Sequence, residues 1–134
     1  MATNNKKLGN TFENEFCEMM FMLNFWVHNL AQNKSGQPAD VIAVKDKKAW
    51  LIDCKECTNN TFPLSRIEEN QHLAMRLWKD SGNGEGWFAL KVENEVYMIP
   101  HFTMIALSHE KATLNLDDIR EYGTIFERWV KKCK

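Results

Sequence analysis

The chain has 134 residues, 44% hydrophobic, 11% aromatic and 26% charged, enough apolar material for one core and too much for a disordered chain. Seventeen basic residues stand against eighteen acidic ones, so the net charge gives no general attraction to polyanions; a surface for one must come from local sorting of charge. No run approaches the ~18 uncharged apolar residues of a membrane span. The stretch from Phe16 to Leu30 is broken by Glu18, Asn24 and His28 and has no cleavage site, so the expectation is a soluble cytoplasmic protein without a membrane partner or secretory signal.

In chain order, Phe12, Phe16, Met19, Met20 and Leu23 form the stripe of an amphipathic helix spanning about 6–25. Glu13 lies one position off that stripe. Asn29 to Pro38 reads as a loop. Ala39 to Val44 is a short apolar strand, Lys45 to Lys48 a polar turn, and Ala49 to Glu56 its antiparallel partner. After the loop Thr58 to Pro63, Ser65 and Glu68 have capping-box spacing and open a helix with Ile67, Leu73, Ala74, Leu77 and Trp78 inward. Asp80 to Gly86 ends it. Strands follow at Trp87 to Val92 and Val96 to Ile99, with Pro100 closing the sheet segment. A last helix runs from about Asp117, interrupted near Gly123, to Lys132. The order helix-strand-strand-helix-strand-strand-helix predicts an α/β fold, a small mixed β-sheet flanked by helices, in a single domain over 1–134.

Side chains alternate along a strand, so Leu51, Asp53 and Lys55 share one face and Trp50, Ile52, Cys54 and Glu56 the other. Folding the hairpin about Lys45 to Lys48 pairs Val44 with Ala49. Asp40 then stands opposite Asp53, with Cβ atoms roughly 5 Å apart. Two like charges so placed push each other toward protonation. A divalent cation between them removes that penalty, and hard oxygen ligands suit magnesium or manganese. Lys55 brings an ammonium to the rim, where it can hold a phosphate oxygen or orient water. Acid, acid and lysine around a hard metal is what phosphodiester hydrolysis asks for. The same residues can also be read as a strand-end cap and ordinary strand charges.

Of the four cysteines, Cys17 fits a core position. Cys54 and Cys57 form a C-x-x-C, but no second ligand pair follows for zinc, and Cys54 lies within a strand pattern rather than at a helix N-terminus. His28, His72, His101 and His109 show no ligand spacing. Trp26, Trp50, Trp78, Trp87 and Trp129 read as core or dimer-interface aromatics rather than base-stacking platforms. Three lysine clusters stand out: Lys6-Lys7, Lys45-Lys47-Lys48 and Lys131-Lys132-Lys134.

Pro38-Ala39-Asp40, twelve intervening residues, and then Asp53-Cys54-Lys55 resembles the signature of the PD-(D/E)XK nucleases. Three further features resemble the Holliday junction resolvases within them, chiefly the RecU type and more loosely the archaeal enzymes. Gly9-Asn-Thr-Phe-Glu13 with Phe16 looks like the opening helix of that family, Thr58 to Leu64 like the loop after its catalytic strand, and Asn70-Gln71 like its helical glutamine. The resemblance spans about Lys6 to Ile99.

The resemblance implies a restriction-endonuclease-like fold and a structure-selective DNA endonuclease that depends on Mg2+, with Mn2+ able to substitute. Glu13, Asp40 and Asp53 would surround the metal, with the Cys54 carbonyl a further ligand. Lys55 would position or activate water, and Gln71 would orient groups at the edge of the site. It also implies a homodimer acting symmetrically on a branched four-way DNA junction, of bacterial or phage origin. Lys6, Lys7, Lys34 and Arg66 are candidate DNA contacts by position, and Ser35 by likeness to a serine of the archaeal enzymes. The alternatives are a nuclease of the same superfamily acting on flaps or duplexes, a non-catalytic DNA-binding module, and a thiol redox protein built on Cys54 and Cys57.

Overall fold

The computed structural model describes residues 11–30 and 39–133. Helix α1 (Thr11–Met22) buries Phe12, Phe16 and Met20 at i, i+4 and i+8, as the apolar stripe requires. Leu23 lies beyond the helix and is exposed. Asn24 takes a left-handed turn, φ 70°, which sends the chain into strand β1 (Trp26–Asn29). This strand does not show in the sequence: four residues running on from a helical stripe carry too little alternation.

Strand β2 (Val41–Lys45) pairs antiparallel with β1 on one side and with β3 (Lys48–Glu56) on the other. Asp46 and Lys47 make the turn with φ of 52° and 68°, the two left-handed residues that a two-residue hairpin loop needs. Val44 faces Ala49 and Val41 faces Ile52, the register expected from the sequence. Strand β4 (Phe62–Pro63) and a 3₁₀ turn (Leu64–Arg66) lead to helix α2 (Glu69–Asp80). Strand β5 (Trp87–Val92) then lies parallel to β3, and β6 (Glu95–Pro100) returns antiparallel. Helix α3 (His101–Ser108), strand β7 (Thr113–Leu114), helix α4 (Leu116–Tyr122), strand β8 (Thr124–Ile125) and helix α5 (Phe126–Lys132) complete the order.

The main sheet runs β1-β2-β3-β5-β6-β8, with β3 and β5 its parallel pair. It separates two cores. Phe16, Met20, Ile52, Ala89, Met98 and Trp129 fill the one under α1 and α5. Leu51, Met75, Phe88, Leu90, Ile99 and Met104 fill the one under α2 and α3.

Several local expectations are corrected. The capping box of α2 joins Glu68 and Gln71, and Ser65 belongs to the preceding 3₁₀ turn. Leu73 and Leu77 are 52% and 67% exposed, and the inward residues are Gln71 and Met75. The helix rotates this way because Met75 packs over the strand start at Gly86, where a Cβ would lie 2.6 Å from Met75 Cγ. Pro100 closes β6 as expected and is also the N-cap of helix α3, which the sequence reading did not foresee. Trp26 is 61% exposed and so is not a core residue of this chain. No helix among the described residues is long and apolar enough to cross a membrane.

Candidate active site

The hairpin register carries Asp40 to the end of β2, opposite Asp53 on β3. Asp40 and Ile52 are joined by a backbone hydrogen bond of 3.2 Å. Each aspartate is held by one donor. The Cys54 N–H donates to Asp40 Oδ2 at 2.8 Å, and Gln71 Nε2 donates to Asp53 Oδ1 at 3.3 Å. The orientation of the Gln71 amide is fixed in turn, because its Oε1 accepts from the Glu68 N–H at 3.0 Å. The capping box of α2 therefore also aims a donor at the site. Sequence reading missed Glu68 in this role, and its only signal was the spacing to Gln71.

Asp53 is 1% exposed. Its Oδ2 meets no donor in hydrogen-bonding geometry, although Lys55 Nζ lies 3.2 Å away as an ion pair. Burial raises the Asp53 carboxyl to about 8. The negative charge of Asp40 adds to the rise, Lys55 opposes it, and a proton on Asp53 can be hydrogen-bonded to Asp40. Glu13, on α1, is raised to about 7, first by burial and then by Asp40, with Lys55 again opposing; its Oε2 is also buried without a partner. A buried Glu13 oxygen without a partner, and an enclosed Asp53 oxygen held only by the Lys55 ion pair, stand near a third acid, an arrangement that favours a cation.

Glu13, Asp40 and Lys55 face a cavity of about 660 Å³ that Cys54, Asn59 and Arg66 also line, with Asp53 enclosed behind them. Asn59 and Asn60 bend the loop after β3 with φ of 54° and 56°, which sets the rim beside Lys55. Arg66 donates to the Glu56 carbonyl at 2.9 Å and covers the Phe62 ring, so its guanidinium is anchored at the cavity edge. Of the residues singled out from sequence, Glu13, Asp40, Asp53, Lys55 and Gln71 come together, with Cys54 and Arg66 beside them. Lys6, Lys7, Lys34 and Ser35 lie outside the described residues.

Among the described residues, no three His, Cys, Asp or Glu side chains already form a metal-ligand set. The Asp40–Asp53 pair nonetheless suits a hard cation that keeps waters and takes one or two protein carboxylates plus substrate phosphate oxygens. The thiols do not suit redox chemistry. Burial pushes Cys54 well up and Cys57 to about 11, the reverse of what a reactive thiolate needs.

A family profile described as Recombination protein U, RecU, matches residues 27–131. The chain belongs to the RecU family. RecU proteins are Holliday junction resolvases acting in DNA recombination and repair, and the family is one of nucleases that work with divalent metals on branched DNA. Among solved structures, the chain is similar to Hjc, a Holliday junction resolvase from the archaeal hyperthermophile Archaeoglobus fulgidus. The TM-score is 0.68 at 13% identity, covering 90% of this chain and 98% of that one. At that identity the likeness shows the fold, that of the Hjc nuclease. No curated protein sequence matches the chain.

Proposed function

We propose that this RecU-family chain is a Mg2+-dependent endonuclease that cuts four-way DNA junctions as a homodimer, with Asp40, Asp53 and Glu13 as the acidic groups around the metal. The observation that carries the reading is the Asp40–Asp53 pair: two carboxylates brought together by the hairpin register, one of them fully enclosed, with Lys55 as the only cation on its Oδ2 among the described residues. The Cys54 carbonyl is at hand as a further ligand on the cavity wall. When bound there, a magnesium ion would supply polarisation of a phosphoryl oxygen, a lowered pKa for water and compensation of charge on the leaving oxygen.

The chain's own residues do the positioning. Gln71 holds Asp53 Oδ1 and fixes the orientation of that carboxylate. The Cys54 N–H does the same for Asp40 through Oδ2. Lys55, paired with Asp53 Oδ2, would be the ammonium that holds the scissile phosphate or orients the attacking water. Arg66, anchored on the loop side, meets a backbone phosphate at the cavity edge. Two copies related by a two-fold axis supply the two cuts that a symmetric junction requires.

The test is cleavage of a labelled four-way junction in Mg2+, alongside flap and duplex substrates of the same sequences, with a sedimentation measurement of the oligomer. Preferential junction cleavage that is lost in Asp53→Ala is the expected result. Wild type and Asp53→Ala equally inactive on all three substrates would overturn the enzyme reading, and a preference for flaps or duplexes would overturn the substrate assignment.

A further inference from the structure

Two of the lysine clusters read from the sequence meet in space, far from the carboxylates. The β2–β3 turn brings Lys47 and Lys48, and the last turn of α5 brings Lys132, to one end of the sheet. There they border two adjoining cavities of about 240 and 290 Å³ that share Lys48, Trp50 and Trp87. Lys48 and Asp53 are five residues apart on the same strand, which places this end roughly 16 Å from the active site at ~3.3 Å per residue.

The aromatic floor is rigid. Trp129 is buried and meets Trp87 edge-on at 5.6 Å and Trp50 edge-on at 6.3 Å. Trp50 is braced again by Phe25 at 5.5 Å. Trp50 and Trp87 are each only partly covered, so they present fixed indole surface to the cleft. Lys47 and Lys132 are exposed at its mouth. The acids nearby are Asp46, on the turn, and Glu85, whose Oε2 already pairs with Lys79 at 2.5 Å. Ammonium groups beside rigid indoles are the elements that hold a single-stranded nucleic acid: the lysines follow the backbone and the aromatic rings stack on unpaired bases.

We infer that the cleft between the β2–β3 turn and α5 is a second nucleic-acid site, in which an unpaired base stacks on Trp50 or Trp87 while Lys47 and Lys132 hold the flanking phosphates. Base-paired DNA has no free base to offer these rings, so the site discriminates for a single strand. It stands whether or not the carboxylate site cleaves junctions.

The experiment titrates the full chain, in EDTA, with a twelve-nucleotide oligo-dT and follows tryptophan fluorescence. The expected result is quenching that a duplex of equal length does not produce. Lys47→Glu with Lys132→Glu, both at exposed positions, should weaken oligo-dT binding at least 10-fold. It should also flatten the salt dependence by about 1.4 in log–log slope, at about 0.7 for each single-strand phosphate that is no longer neutralised. Trp50→Phe together with Trp87→Phe should remove most of the quenching. Unaltered oligo-dT binding by a folded double-lysine variant, verified by its circular dichroism, would overturn the inference. So would equal quenching by the duplex.

Discussion

The enclosed Asp53 makes a specific prediction about stability in the absence of metal. Its carboxyl is raised to about 8 by burial and by Asp40, so the folded chain holds a proton that the unfolded chain, near its ordinary 3.8, gives up. A group raised in this way stabilises the fold at low pH, and that contribution drains away as pH climbs through the interval up to about 8. The loss runs at up to about 1.4 kcal/mol per pH unit for one proton. Asp53→Asn removes this titration while keeping the size of the side chain. Between pH 5.5 and 7.5 in EDTA, wild type should therefore lose up to about 3 kcal/mol relative to the asparagine variant. For a chain of this size that is a difference in Tm of about 10 °C, at roughly 3–4 °C per kcal/mol. The Glu13 rise to about 7 is common to both proteins and cancels in the comparison. Thermal melts across the pH series give the answer. Parallel profiles for the two proteins, or a wild type that gains stability over this range relative to the variant, would refute the reasoning about Asp53.

Further outcomes follow from the same geometry. At pH 8, saturating Mn2+, at about 100 times Kd, should stabilise wild type by about 2.7 kcal/mol, and Asp53→Asn by much less, read as a shift in Tm. Lys55→Met should lower single-turnover junction cleavage about 10²–10⁴-fold while junction binding in a gel shift holds within a few-fold. Gln71→Leu takes away the donor on Asp53 Oδ1 and should cost about 10–100-fold in metal affinity or cleavage, the usual effect of losing a residue that orients a ligand, measured by titrating cleavage with Mg2+. Gly86→Ala would drive a methyl into fully buried Met75 and should destabilise by about 1–3 kcal/mol in urea unfolding.

The parts of the site legible in the sequence are those fixed by local rules. A four-residue polar turn and strand alternation were enough to set Val44 against Ala49, and with that register Asp40 against Asp53. The stripe Phe12, Phe16, Met20 placed Glu13 at a buried edge for the same reason, because helical period settles which side faces in. What escaped depends on partners distant in the chain. Gln71 entered the site through the family resemblance alone; that it turns inward, because Asp53 waits there and because Met75 must fit over Gly86, does not show in the polarity of α2. Its exposed Leu73 and Leu77 instead pointed to the wrong face. Helix α3 is apolar over most of its length, without the alternation of polar and apolar residues that marks a surface helix. Strand β1 is short and at the sheet edge, where pairing with β2 rather than side-chain pattern defines it. The meeting of the β2–β3 turn with α5 joins positions some eighty residues apart, so the lysines looked like two separate solvated runs.

Soaking crystals of the protein in Mn2+ and recording anomalous scattering tests the central claim most directly. The expected map has a peak bridging Asp40 and Asp53, with Lys55 Nζ drawn away from its 3.2 Å contact with Asp53 Oδ2. A map with no peak there at a manganese concentration that supports cleavage, and with the lysine still seated on the aspartate, would contradict it.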